Sequence, residues 1–138
     1  SNFEKADLDN ILENCSIKPM VNQILVHISN TPKELIRYNQ EKQILVEAYS
    51  PFGHGEIFKN QSVQAIAEKY KVSVSQLAIR YCLQLGLLPL PKTSNPQHMR
   101  TNAEVDFVIS DADMLLLNNV KQIENYGEHS KFPVFGKV

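Results

Sequence analysis

What this chain has little of narrows its function before any motif is considered. It carries only two cysteines, Cys15 and Cys82, far apart and each on a predicted helix. They read as buried reduced thiols rather than as a disulfide or half of a metal site. The four histidines fit no metal-ligand spacing. No apolar run approaches the roughly 18 residues of a membrane-spanning helix. The first residues show no signal-peptide pattern, so the expected compartment is cytoplasmic. Neither sign of charge dominates: 14 Lys and Arg stand against 15 Asp and Glu, for a formal net charge of −1. With no basic cluster and no alternation of basic and aromatic residues, nucleic acid and membrane surfaces are disfavoured as partners. Small molecules remain. Methionine is also absent from the start, where Ser1-Asn2-Phe3 reads as the end of a strand turning into a helix. An upstream portion is therefore expected to be missing.

What is present suits one soluble globular domain: 138 residues, 43% hydrophobic and 21% charged. Disordered and fibrous classes are excluded. Ser1 or Asn2 can cap a helix whose apolar residues Phe3, Leu8, Ile11, Leu12 and Cys15 recur at helical spacing. Val21–His27 is a short apolar run of β-formers and predicts a buried strand. Thr31-Pro32-Lys33-Glu34 predicts an N-cap with proline at the first helical position, opening a helix through Leu35, Ile36 and Tyr38. Ile44–Ser50 predicts a second strand, stopping at the loop Pro51–Gly55, whose glycines permit close approach of backbone to a ligand. Helices are predicted over Ser62–Lys71 and, behind the capping box Ser73-Val74-Ser75-Gln76, through Leu85, with Gly86 as terminator. A third strand, Leu87–Pro91, precedes helices near Pro96–Asn102 and from Ser110 through Met114, Leu117, Val120 and Ile123. An irregular tail with Gly127, Pro133 and Gly136 follows. Strands alternating with helices, without a hairpin signal, make this an α/β chain with a parallel sheet. Three strands with few charges on either face predict cover on both sides, yet cannot close a barrel.

The segment richest in chemistry runs from Leu87 to Gln97. A strand passes through Lys92, Thr93 and Ser94 into Asn95, a good N-cap, and Pro96, suited to the first helical turn. An ammonium group, two hydroxyls and the positive end of a helix together suit a phosphate monoester. The same residues also suit an ordinary strand-to-helix turn with a surface lysine.

These residues resemble the C-terminal half of an aldo-keto reductase, a (β/α)8 TIM-barrel family that reduces aldehydes and ketones with NADPH. Ser1-Asn2-Phe3 resembles the end of the fifth strand, Val21-Asn22-Gln23 the sixth, Ala48–Gly53 the seventh with its loop, and Pro91–Pro96 the eighth. Ile66–Tyr70 and Ala78–Cys82 resemble the helical region before the eighth strand. The resemblance covers nearly the whole chain and makes residues 1–138 the C-terminal half of the barrel, with 124–138 as its tail. It implies that Ser1, Asn2 and Gln23 hold the nicotinamide carboxamide and that Tyr49 stacks on the nicotinamide ring. Ser50 and the Phe52-Gly53 backbone would face the pyrophosphate. Lys92 and Thr93, with Ser94 beside them, would meet the 2′-phosphate, and Asn102 the adenine. The chemistry is consistent, since amides both donate to and accept from a carboxamide and an aromatic face complements a flat ring. Barrel enzymes of this kind bind phosphate near their last two βα loops.

The chain departs from the family pattern at two positions. His98 stands where the family commonly has an arginine against the 2′-phosphate and adenine, with Arg100 two residues on and so on another helix face. Thr101 stands where an acidic or amide residue often meets the adenine. A neutral imidazole cannot reproduce a guanidinium fork, which leaves NADH as well as NADPH open as cofactor. The family's catalytic aspartate, tyrosine, lysine and histidine belong to the first half of the barrel, so the resemblance assigns no catalytic residue here. By position Tyr49 is the stacking tyrosine, not the proton donor. His27 and His54 fall on predicted loops near the site, either touching substrate or simply solvated. Tyr126, Phe132 and Phe135 of the tail could line a carbonyl-substrate pocket or pack on the barrel. Two functions follow as expectations. One is the cofactor-binding half of a reductase of small carbonyl compounds. The other is a non-catalytic half-barrel, a nucleotide-binding or structural module covered by a second copy or by a separate N-terminal half.

Overall fold

A computed structural model of the chain describes residues 1–122. Ile123 and the tail residues Tyr126, Gly127, Phe132, Pro133, Phe135 and Gly136 lie outside the described residues. Three strands, β1 (Val21–Leu25), β2 (Leu45–Tyr49) and β3 (Leu88–Leu90), form a parallel sheet in the order β1-β2-β3. The helices are α1 (Lys5–Asn14), α2 (Lys33–Glu41), α3 (Gln61–Lys69), α4 (Val74–Gln84), α5 (Pro96–Ala103) and α6 (Asp111–Asn118). A 3₁₀ segment, Gly53–Lys59, follows β2. The alternation expected from the sequence is therefore present. Parallel pairing follows from it, because every return between neighbouring strands passes through a helix.

The two faces of the sheet differ. Ile24, Val46 and Ala48 point into a core built with Ile36, Val63, Ile66, Leu77, Ala78 and Tyr81 of the covering helices. On the other face Val21, Leu45, Leu88 and Leu90 are between 38% and 44% exposed, while Leu25 is buried. The expectation that both faces are covered therefore fails for this second face among the described residues. Gln23, Glu47 and Tyr49 lie on it with them, since same-face positions recur every second residue.

Most helix ends follow their local chemistry. Ser73 and Gln76 form the reciprocal capping box of α4, and Asn95 caps α5 with Pro96 in its first turn. After α4, Gly86 takes φ +76°, a left-handed conformation, and a Cβ there would meet the Gln40 amide at 3.1 Å. Two caps differ from expectation. The cap of α1 is Glu4, not Ser1 or Asn2: its backbone N–H donates to Asp7 at 2.8 Å, while Asn2 instead donates its N–H to the Gln23 carbonyl at 2.8 Å. At α2 the cap position is Pro32, because the Thr31 hydroxyl is engaged by the His27 carbonyl at 3.1 Å and the Tyr81 hydroxyl at 2.8 Å. Cys82 is buried, as expected, but Cys15 is only half-buried, one residue past α1.

Buried polar groups lock the elements in place. The Asn22 side chain, 2% exposed, donates to the Phe3 carbonyl at 3.0 Å and to Asn39 of α2 at 3.3 Å. One amide thus fixes the segment before α1 against both β1 and α2. At the far side Asp113 of α6 accepts from Lys69 at 2.7 Å, Tyr70 at 2.5 Å and Ser110 at 2.9 Å. These donors hold its carboxyl down at about 2.

Candidate functional site

Because the sheet is parallel, the segments leaving its strands all emerge at one end. Chemistry-bearing residues form two groups, one at that end and one on the open sheet face. The first lines a groove of about 440 Å³. Phe52 precedes the 3₁₀ segment as its N-cap residue and Phe58 lies within it, Ser73 and Ser75 come from the start of α4, Lys92 and Thr93 from the turn after β3, and His98, Thr101 and Asn102 from α5. The Phe52 and Phe58 rings sit 5.8 Å apart at 51° and give the groove an aromatic wall. The Thr93 hydroxyl accepts from the Asn95 N–H at 3.1 Å, and the Asn95 side chain accepts from the Gln97 N–H at 2.9 Å. This pins Lys92 and Thr93 beside the N-terminus of α5, whose dipole adds to the positive charge of Lys92. Ser94 is exposed and, like Arg100, does not line the groove.

The second group lies on the open sheet face. Gln23 and Glu47 stand opposite each other in the β1–β2 register, and the Gln23 Nε2 donates to Glu47 Oε2 at 2.9 Å. Tyr49, two residues beyond Glu47, has its hydroxyl pKa raised by burial and partly lowered again by a hydrogen bond with the Asn2 side chain. Asn2, Gln23 and Tyr49 are thus brought together, whereas Ser1 is exposed. Between the two groups the chain leaving β2 is bent sharply. Ser50 (φ 50°), Gly53 (φ 53°) and His54 (φ 51°) all take left-handed conformations, and the Gly53 N–H donates to the Ser50 carbonyl at 2.9 Å. Backbone held this way at non-glycine positions costs on the order of 1 kcal/mol or more per residue and collects at ligand sites.

The two loop histidines part company. His54 is exposed. His27 is not a solvated loop residue: it is 1% exposed, with Nδ1 3.0 Å from the Ser29 hydroxyl and its backbone paired with Asn30. Burial, reinforced by the nearby His54, lowers its pKa to about 4. His27 is therefore a buried imidazole that is neutral near pH 7. Sequence reasoning missed Glu47, Phe58 and Ser75, and saw Ser73 only as a cap. Glu47 did carry a signal, as the sole charge in the apolar run Ile44–Ser50.

The model of the aldo/keto reductase family matches residues 1–122. An uncharacterized oxidoreductase of Schizosaccharomyces pombe is 41% identical over 124 residues, which cover 88% of this chain and 45% of that protein. The glyoxal reductase of Bacillus subtilis is 37% identical over 128 residues, 92% of this chain and 46% of the other. A crystal structure of an aldo-keto reductase complexed with NADPH, from the silkworm Bombyx mori, superposes with a TM-score of 0.81 at 31% identity, covering 88% of this chain and 41% of that one. This chain therefore spans about half the length of the curated relatives it matches.

Proposed function

This chain belongs to the aldo/keto reductase family of oxidoreductases, and from that premise we propose that it supplies the cofactor-binding half of an NADPH-dependent reductase of aldehydes and ketones. The observation that carries the reading is the groove, where Phe52, Lys92, Thr93, His98 and Asn102 converge from separate segments. Its donors fit an adenosine phosphate: an ammonium group and hydroxyls beside a helix N-terminus for the phosphate, and an aromatic wall and an amide for the base. The open sheet face fits the other end of a dinucleotide, with Asn2 and Gln23 as amide partners for a carboxamide and Tyr49 as a flat surface for a ring. Ser50 and the Phe52-Gly53 backbone lie between and face the pyrophosphate in this reading. Ser1 and Ser94, both exposed, contribute at the margins.

When bound, the nicotinamide supplies a hydride to a carbonyl carbon. Everything this chain does toward that reaction is binding and orientation. The groups that protonate the carbonyl oxygen are assigned, by family resemblance, to the first half of the barrel.

The exposed row Val21, Leu45, Leu88 and Leu90 favours a second reading, in which the chain is a non-catalytic half-barrel whose apolar face is covered by a second copy or a separate N-terminal half. One experiment addresses both. The purified chain is titrated with NADPH and then assayed for NADPH oxidation with an aldehyde. Saturable binding without turnover is expected. Turnover by this chain alone would refute the assignment of catalysis to the other half, and failure to bind would refute the cofactor role.

A further inference from the structure

We propose that Glu47 is a specificity-determining residue, which makes the site accept a carboxamide and reject the corresponding carboxylate. The inference rests on the reading of Gln23 as a partner of the nicotinamide carboxamide. A glutamine amide has two unlike ends, and either can turn toward a ligand. Here the choice is removed. Glu47 stands opposite Gln23 in the β1–β2 register and takes its Nε2 at 2.9 Å. A carboxylate can only accept, so it holds the NH₂ end and leaves Oε1 as the end available to a ligand. Both side chains are half-buried, where solvent screening is incomplete.

Tyr49 shares a face with Glu47 and sits roughly 6.6 Å further along β2, at about 3.3 Å per residue. A ring lying on Tyr49 therefore meets an acceptor oxygen backed by a negative charge. That surface welcomes an NH₂ donor. It disfavours a carboxylate twice over, by leaving Gln23 Oε1 without a donor and by like-charge repulsion.

The test compares NADP⁺ with its deamido analogue, nicotinic acid adenine dinucleotide phosphate, which differs only in carrying a carboxylate for the carboxamide. Each is titrated calorimetrically into the whole chain and into Glu47→Gln and Gln23→Leu. Adenosine 2′,5′-bisphosphate, which has no nicotinamide, serves as the control ligand. Glu47→Gln is isosteric and can still accept from Gln23, but it carries no charge and can itself turn, which frees the Gln23 amide. The unaltered chain is expected to prefer NADP⁺ over the analogue by on the order of tenfold or more, the worth of one charge-assisted hydrogen bond. Glu47→Gln should bring that ratio close to one while bisphosphate affinity stays unchanged. A ratio unaltered by Glu47→Gln, with Gln23→Leu still weakening NADP⁺, overturns the inference and spares the reading of Gln23. NADP⁺ affinity unaltered by Gln23→Leu overturns that reading, and the inference falls with it, as it does if the unaltered chain binds none of the three ligands.

Discussion

Replacing His27 by glutamine should flatten the acid side of the stability curve, and the size of the effect can be worked from the structure. His27 is 1% exposed, and burial with His54 nearby lowers its pKa from the ordinary 6.5 to about 4. In the unfolded chain the imidazole recovers its ordinary value and binds a proton first as pH falls. The folded state therefore keeps its full stability above pH 6.5, loses it progressively from there down to about pH 4, and loses nothing further from this residue below that. The full shift corresponds to about 3 kcal/mol, of which about 2 kcal/mol should be lost between pH 7.5 and 5.0. Asp113 does not confuse this window, because its carboxyl is held at about 2 and its own effect begins only below its ordinary 3.8. Urea unfolding followed by circular dichroism, on the chain and on His27→Gln across this range, isolates the residue, since the other titrating groups cancel in the difference. Parallel stability curves for the two proteins would refute the placing of His27 as a buried neutral group.

Other substitutions read the groove and the helix packing. Lys92→Met should weaken NADPH binding about tenfold, the loss of one charge-assisted contact, and leave NADH binding nearly unchanged in fluorescence titrations. His98→Arg should raise the preference for NADPH over NADH by a similar factor, because a guanidinium on the groove wall can take a phosphate with two parallel hydrogen bonds. Asp113→Asn should lessen the loss of stability that the chain shows as pH falls from 3.8 toward 2, removing the share due to Asp113, since the lowered carboxyl favours the folded state only while ionised. It should also loosen α6 from Lys69 and Tyr70, which hydrogen exchange of residues 111–118 would register.

The elements were legible in the sequence where their cause is local. Ser73 with Gln76 and Asn95 with Pro96 start helices through neighbours within one turn, and both starts fall where expected. Thr31 fails as a cap for the opposite reason. Its hydroxyl is held between the His27 carbonyl and the Tyr81 hydroxyl, and the second of these lies 50 residues away, where no local pattern reveals it. The same division runs through the site. The turn after β3 offered Lys92 and Thr93, and the family resemblance added His98 and Asn102, but Phe58 and Ser75 reach the groove only through the packing of the 3₁₀ segment and α4. Glu47 was visible as an odd charge in an apolar strand. Its partner was not, because cross-strand register depends on the helices that set the strands side by side. The exposure of Val21, Leu45, Leu88 and Leu90 was equally hidden, since an apolar strand does not record whether each of its faces finds cover.

Hydrogen exchange of the chain with and without saturating NADPH tests whether the groove and the open sheet face hold the two ends of one dinucleotide. Protection is expected in two places at once, at residues 52–58, 73–75 and 92–102 around the groove and at 22–24 and 48–50 on the open sheet face. Protection confined to other surfaces, or none at a concentration where binding is complete, would contradict it.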